Sequence, residues 1–256
     1  MRYILIIALL FNVASAQSLF GVVAGDGFDQ DAKRYLDSAG ITNSSQRSAF
    51  NAFVKGWKNA GLWTKTSAIY PFMGGSASSH KWNAKDVRDL DAAFRLTFPN
   101  GATHDANGIT FNGTNQYALT FFNPNNNASS NNSFAMGIYS RTNSSANQAD
   151  MYATLTTAGN PRAGILSRWG DGNFYGDMWD DSETRIMVSN SDSRGIFIAS
   201  RTASNSFKAY RNGSQIGSTS TRTSIESGHR CKRRRSHCWS VRSDTPMNFP
   251  DRSPER

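Results

Sequence analysis

Residues 207–217 read FKAYRNGSQIG, two short runs on either side of an Asn-Gly pair. Asn212 and Gly213 accept the positive φ angles of a type I′ turn, whose twist matches that of the strands it joins. The stretch therefore predicts a tight antiparallel β-hairpin.

This hairpin lies near the end of residues 63–224, which form short runs with a period of two, separated by Gly, Asn, Ser and Pro. The predicted strands are 68–72, 93–98, 109–111, 117–122, 134–141, 151–156, 163–168, 173–179, 185–188, 195–200 and 207–211. Many short strands at this spacing are typical of a mainly β protein, an antiparallel sandwich or barrel, and not of βαβ units.

A helical N-terminal segment, residues 17–62, precedes this region, and a helical pair is predicted over 28–62. The first helix follows Asp29 and ends at Gly40, which accepts the left-handed conformation. The second carries an apolar stripe formed by Ala49, Phe50, Phe53, Val54 and Trp57. Such a stripe needs a partner surface. We expect it to pack on the sandwich, and docking or oligomerisation is the alternative.

The first 16 residues have the pattern of a secretory signal peptide. Arg2 supplies the basic start, an apolar run follows, and Ala14-Ser15-Ala16 is a small-x-small cleavage signal. The chain is therefore expected to be exported and, once the leader is removed, not to be held in a membrane. An uncleaved anchor or a buried strand is the alternative use of this stretch.

The net charge of +9 does not indicate nucleic-acid binding. Residues 225–256 hold eight Lys or Arg and four Asp or Glu, so +4 lies in this tail and the rest is spread thinly. No clustered basic footprint for phosphates results. Both cysteines, Cys231 and Cys238, also lie in the tail, so the predicted sandwich depends on burial and strand pairing alone.

Three stretches resemble laminin-G-like and concanavalin-like domains, in the order expected for that family. Residues 110–118, TFNGTNQYA, resemble its F-D-G-x-x-x-Y-V strand and turn. Residues 133–142 resemble the following S-F-T-I-x-x-W strand, and residues 210–217 resemble the late Y-V-D-G-x-x-V-G hairpin. The resemblance implies a jelly-roll sandwich over residues 63–224.

A wider resemblance runs from about residue 29 to residue 223. Residues 69–75, 80–83 and 89–96 are similar to an uncharacterised family found in phages and Bacteroidetes-type bacteria, in which a helical pair precedes a laminin-G-like sandwich. This resemblance implies a structural protein of a virion or a cell surface and assigns no reaction.

The tail, residues 225–256, lacks a strand period and is rich in Arg, Ser and Pro. Three interpretations are open: a basic targeting signal, a frame-shifted or truncated end, and a zinc site. The zinc ligands would be His229, Cys231, His237 and Cys238, at unusually tight spacing. The abrupt change of composition favours the frame shift, and we predict that the tail is disordered and adds no strand.

Motifs of hydrolases and nucleotide-binding enzymes are absent from the sequence. His80 and His104 are the two histidines of the sandwich region, and each is expected to be a polar residue at a strand end.

An acidic cluster is the strongest indication of an enzyme. Its members are Asp171, Asp177, Asp180, Asp181 and Glu183. Sandwich glycosidases place carboxylates at alternate positions of one strand, so that the acid and the nucleophile share a face. Asp181 and Glu183 satisfy this spacing, but Trp179 occupies the preceding position on that face. A solvated turn is therefore the favoured interpretation.

The same stretch also predicts a ligand-binding surface. Three aromatic residues alternate with three polar ones, and all six are odd-numbered, so an extended strand places them on one face. They are Trp169, Asp171, Asn173, Tyr175, Asp177 and Trp179. Aromatic rings stack on sugars, while Asp and Asn bind hydroxyl groups. A bulge or turn at the intervening glycines would instead send the aromatics into the core.

Together these patterns predict a non-enzymatic protein that binds a glycan or a host or cell surface, secreted or part of a phage particle such as its tail. A purely structural virion role and a sandwich glycoside hydrolase using the acids around 177–183 are the alternatives. No cofactor is expected. A calcium site is possible in such domains but cannot be assigned, because its ligands come from scattered loops. An oligomer is also possible.

Overall fold

The computed structural model describes residues 2–5, 27–145, 147–154, 162–180, 185–224 and 240–242, the first and last of these segments by their backbone alone. The protein is mainly β, with antiparallel sheets and a few helices towards its N-terminus. The cleavage signal of the leader, the zinc ligands of the tail, and Asp181 and Glu183 lie outside the described residues.

The predicted helical pair is confirmed. Helix α1 spans Gln30–Ser38 and α2 spans Ser44–Asn59. Asp29 caps α1 by accepting hydrogen bonds from the amides of its first turn, and Gly40 leaves the helix with a φ of +67°. Two single-turn helices follow, α3 at Ala77–His80 and α4 at Pro124–Asn127, with 3₁₀ turns at Trp63–Lys65 and Asp91–Ala93.

Fourteen strands are described. They are β1 Arg2–Leu5, β2 Thr66–Ile69, β3 Thr103–Asp105, β4 Gly108–Thr110, β5 Tyr117–Leu119, β6 Phe134–Ser140, β7 Met151–Thr154, β8 Arg162–Leu166, β9 Asn173–Asp180, β10 Ile186–Ser189, β11 Gly195–Ala203, β12 Ser206–Arg211, β13 Ser214–Ser220 and β14 Ser240–Arg242. The first sheet has the order β13-β12-β11-β6-β1-β2, and the second has the order β10-β9-β8-β7-β14-β5. Strands β3 and β4 form a separate two-stranded hairpin.

One hydrophobic core joins the two six-stranded sheets. The first sheet contributes Phe134, Phe197 and Phe207, and the second contributes Phe174 and Met178, all of them fully buried. The rings of Phe174 and Phe197 stack across the core with centroids 5.7 Å apart. The predicted 207–217 hairpin is β12–β13, and both Asn212 and Gly213 have positive φ, as its turn requires.

A second core lies under the helical pair. Phe50 and Val54 of α2 pack there with Tyr35 and Leu36 of α1 and with Ile69 of β2. The neighbours of Ile69 on either side, Ala68 and Tyr70, belong to the first core. The alternation of side chains along β2 thus divides the two cores, and the expected packing of the helical stripe on the sheet is confirmed.

Two predictions about strands are wrong. Residues 93–98 form a turn, because Phe94 takes a left-handed conformation with φ of +58° and its carbonyl accepts a 2.5 Å hydrogen bond from the Tyr70 hydroxyl. In this stretch Thr97 makes an isolated bridge to Leu119. The tail was expected to add no strand, but Ser240–Arg242 pairs with β5 and β7. Contacts between residues distant in sequence decide the conformation of both segments, and the local alternation of side chains carries no information about such contacts.

Strand β1 bears on the predicted leader. Arg2–Leu5 runs parallel to β2 on one side and to β6 on the other. This backbone arrangement matches the alternative use of the stretch as a strand, while removal of residues 1–16 stays a prediction.

Candidate functional site

Strands β7–β10 form an antiparallel meander, and side chains of its two faces have different surroundings. Residues such as Met151, Ile165 and Phe174 belong to the shared core. The residues that alternate with them lie on the opposite face, which we call the binding face. Its described members are Tyr152, Thr154, Arg162, Gly164, Leu166, Asn173, Tyr175, Asp177, Met187 and Ser189.

Strand register sets two adjacent rows across the binding face. In one row, Asp177 pairs with Gly164, which pairs with Tyr152. In the next, Met187 pairs with Tyr175, which pairs with Leu166. Tyr152 and Tyr175 therefore lie diagonally across β8, on strands about 10 Å apart, since neighbouring strands are separated by about 4.8 Å.

Asp177 is the centre of the charged part of this face. It is buried, and its Oδ1 accepts a 2.9 Å hydrogen bond from Arg185 Nε. Its Oδ2 accepts from Arg185 Nη2 at 2.9 Å and from Arg162 Nε at 3.1 Å. Arg162 is buried as well. Both carboxylate oxygens are thus bound by guanidinium groups, an arrangement that fixes two arginine side chains on the sheet surface.

Tyr175 is locked between two charged groups. The guanidinium carbon of Arg185 lies 4.3 Å from the centre of the Tyr175 ring, a cation–π contact. The Tyr175 hydroxyl donates to Asp171 Oδ2 at 2.5 Å. Burial, followed by this hydrogen bond, raises the pKa of Tyr175. Burial alone would raise the pKa of Asp171 too, but the Tyr175 and Asn173 hydrogen bonds outweigh it and the pKa is lowered.

Gly164 lies between the aromatic and charged parts. A Cβ at this position would lie 3.4 Å from Tyr152 Cδ2 and 3.7 Å from Asp177 Oδ2, with the Met151 carbonyl oxygen at 3.3 Å. Gly164 is itself buried, so Tyr152 and Asp177 close over the backbone of β8 at this point.

The turn between β8 and β9 carries Trp169 and Asp171 to one end of the binding face. The Trp169 amide donates to the Asn173 carbonyl at 2.7 Å, and the Gly170 amide donates to Asn147 Oδ1 at 3.2 Å. Arg168 Nη1 donates to Asn143 Oδ1 at 3.2 Å. The loop before β7 therefore supports this turn. Trp169 is partly exposed and Asp171 is exposed.

Asp150 ends the loop that supports this turn. Its Oδ2 accepts a 2.6 Å hydrogen bond from the Ser167 amide, and burial raises the pKa of this carboxyl.

The prediction that Trp179 shares a face with the other site residues is wrong. Ala163 pairs with Met178 and Arg162 pairs with Asp180, so Trp179 is the extra residue of a β-bulge, with φ of +59°. Its side chain is fully buried in the core, where its ring packs edge-on against Phe134 at 5.5 Å. The alternation of side chains between the two faces of β9 thus breaks at Trp179. It was expected to break earlier, at the intervening glycines. Asn173, Tyr175 and Asp177 share the face as predicted.

A buried histidine pair was missed by sequence reasoning. His80 Nδ1 and His104 Nδ1 lie 2.9 Å apart, although 24 residues separate them in the chain. His80 is 1% exposed and lies at the end of α3, whereas His104 is the partly buried middle residue of β3. No local spacing connects these residues, so the sequence carries no signal for the pair.

Among the residues that the structure describes, no group of three or more His, Cys, Asp or Glu side chains is arranged to hold a metal ion. Within the same residues, no helix has the length and apolar character needed to cross a membrane. Comparisons with protein-family models, curated proteins and solved structures give no match.

Proposed function

We propose that this chain is a non-enzymatic recognition protein whose binding face holds a glycan of a host or cell surface, on a laminin-G-like or concanavalin-like sandwich. Two features support the sandwich. Consecutive strands β7–β10 form a meander in one sheet and β11–β13 form one in the other, and the two sheets share a core. Export, or assembly into a phage particle, is part of the proposal and is supported by the leader pattern and the family resemblance.

The observation that carries the proposal is the composition of the binding face. Two tyrosines lie diagonally across β8, on either side of Gly164, with an Arg–Asp–Arg cluster beside them. Sugars are bound by aromatic rings that contact their C–H groups and by planar polar groups that bind their hydroxyls. The span from β7 to β9 suits a short oligosaccharide. The exposed side chain of Met187, 61% accessible, extends the apolar part.

A glycan array with the full chain tests the proposal, followed by calorimetric titration of any glycan retained. Tyr175→Ala should weaken binding by about fivefold or more, since a stacked aromatic contributes about 1–3 kcal/mol. Tyr210→Ala is the matched control, because Tyr210 is a partly exposed tyrosine on β12 of the other sheet. Equal losses in both variants, or no retained glycan, would contradict the proposal.

A reducing-sugar assay on the same glycans tests the hydrolase alternative. No turnover is expected, because both oxygens of Asp177 accept hydrogen bonds from arginines. If sugar is released, and if Asp181→Asn or Asp177→Asn abolishes this release, the function is glycan hydrolysis and not glycan recognition.

A further inference from the structure

The β3–β4 hairpin is held to the protein by contacts other than strand pairing. Within the described residues it forms a two-stranded sheet of its own, with three pairs of residues. An isolated two-stranded hairpin is marginally stable in water, so its attachment depends on side chains and on close backbone packing. It is therefore an element that a local change can release.

The segment before α3 packs closely on the backbone of this hairpin. Gly75 has φ of +76°, and a Cβ built on it would lie 3.1 Å from the Ala106 amide nitrogen and 3.2 Å from the Asp105 carbonyl carbon. The Gly75 backbone thus lies directly against the hairpin turn. His80, five residues later, is buried beside it and reaches His104 on β3.

The hydrogen bonds of His80 define where its proton lies. His80 Nε2 accepts a 3.2 Å hydrogen bond from the Gly75 amide. A neutral imidazole has one N–H group and one acceptor nitrogen, so His80 Nδ1 carries the hydrogen. It follows that His80 Nδ1 donates to His104 Nδ1 and that His104 carries its own hydrogen on Nε2. The contact in this form requires both rings to be neutral.

We propose that the His80–His104 hydrogen bond is an acid-released latch that holds the β3–β4 hairpin on the body of the protein. A proton added to His104 Nδ1 sets two N–H groups against each other across 2.9 Å. A proton added to His80 Nε2 does the same against the Gly75 amide. Either event turns an attraction into a repulsion at this contact, which acts beside the packing of Ile109 on the core and the hydrogen bonds from Arg141 to Asn107.

The surroundings of the latch favour neutral rings at physiological pH. Phe72 packs against His80 with centroids 5.6 Å apart, and Phe98 packs against His104 at 4.5 Å. The carboxylate of Asp105 on β3 raises the pKa of His80, whereas the neighbouring His104 lowers it. Lys81, next to His80 on the chain, is directed to Asp89, with Nζ and Oδ2 2.5 Å apart.

The order of protonation follows from burial. Burial, and then the neighbouring His104, lower the pKa of His80 to about 4. Burial also lowers the pKa of His104, which is the more exposed of the two rings. His104 therefore takes the proton first, and release occurs below the ordinary histidine pKa of about 6.5.

Hydrogen exchange of the full chain between pH 7.5 and pH 4.5 tests the latch, with protection factors that correct for the intrinsic pH dependence of exchange. Protection over residues 103–110 should fall by up to about tenfold per pH unit, since opening is linked to one proton. Strands β11 and β12 serve as the internal control and should keep their protection. Histidine nitrogen chemical shifts should identify the Nδ1–H form of His80 at pH 7.5.

Two variants separate the latch from a general loss of structure. His104→Asn keeps an acceptor oxygen near the position of Nδ1 but cannot take a proton, so release should move to lower pH. His104→Ala removes the acceptor, so the hairpin should exchange rapidly even at pH 7.5 while β11 and β12 stay protected. Unchanged protection of residues 103–110 in the wild type through the titration of His104, or an Nε2–H form of His80, would overturn the proposal.

Discussion

Replacing Asp177 with Asn tests the arrangement at the centre of the binding face. The variant is nearly isosteric, but its amide can offer one oxygen to the two arginines. With that oxygen in the position of Oδ2, the NH2 group faces the N–H of Arg185 Nε at about 2.9 Å. The two remaining hydrogen bonds from the arginines then lose the negative charge of their acceptor, at about 1 kcal/mol each, and a buried donor–donor contact adds about 1–3 kcal/mol. Removing the charge of a buried ion pair typically costs about 3–5 kcal/mol, the same range.

Urea unfolding at pH 7 measures this loss as a lower midpoint at an unchanged m-value. Asp86→Asn is the control, because Asp86 pairs with Arg88, whose side chain is 63% exposed, and such surface pairs contribute little. The Asp86→Asn loss should be small and should shrink further at high salt, while the Asp177→Asn loss should persist. If the two variants lose equal stability, Asp177 does not hold the two arginines in place and the reasoning about the binding face is wrong.

Three more outcomes are expected, the first two from unfolding measurements and the third from light scattering. Trp179→Ala should destabilise the protein by about 3–5 kcal/mol, because the Trp179 side chain is fully buried. Met187→Ala on the binding face should change the stability by about 0.5 kcal/mol or less. Equal losses of stability in the two variants would show that Trp179 is not a core residue. His80 has its pKa lowered in the folded protein to about 4, so the unfolded chain binds more protons below about pH 6.5 and stability should fall from there towards pH 4. The full shift of His80 corresponds to about 3 kcal/mol, and His80→Gln should remove this share of the pH dependence while the share of His104 remains. A chain that begins at Gln17 lacks β1, so β2 and β6 lose a pairing neighbour. Light scattering should therefore detect more aggregation of this chain than of the full chain. Equal aggregation of the two chains would show that Arg2–Leu5 does not stabilise the sheet.

The local patterns of the sequence were sufficient for the helical pair and for most strands. Caps and left-handed glycines act within a few residues, so Asp29 and Gly40 mark the ends of α1 correctly. Period-two alternation likewise located most of the strands, including β9 and β12, to within a few residues. The pattern was misleading at Phe94, where packing partners on distant segments favour a turn.

The candidate site was predicted in part for the same reason. Alternation places Asn173, Tyr175 and Asp177 on one face because a regular strand requires it. The bulge at Trp179 depends on how β8 pairs with β9, and the binding of Asp177 by Arg162 and Arg185 depends on strand register.

The sequence by itself determined the mainly β class of fold, the order of the helical and β regions and the placement of Asn173, Tyr175 and Asp177 on one face, since these follow from interactions between near neighbours. The tertiary structure alone decided that His80 meets His104, that Trp179 enters the core and that Arg185 stacks on Tyr175. Each of these contacts joins different elements or depends on how strands pair. Its energy is therefore realised only when the sheets and their connecting segments have packed together.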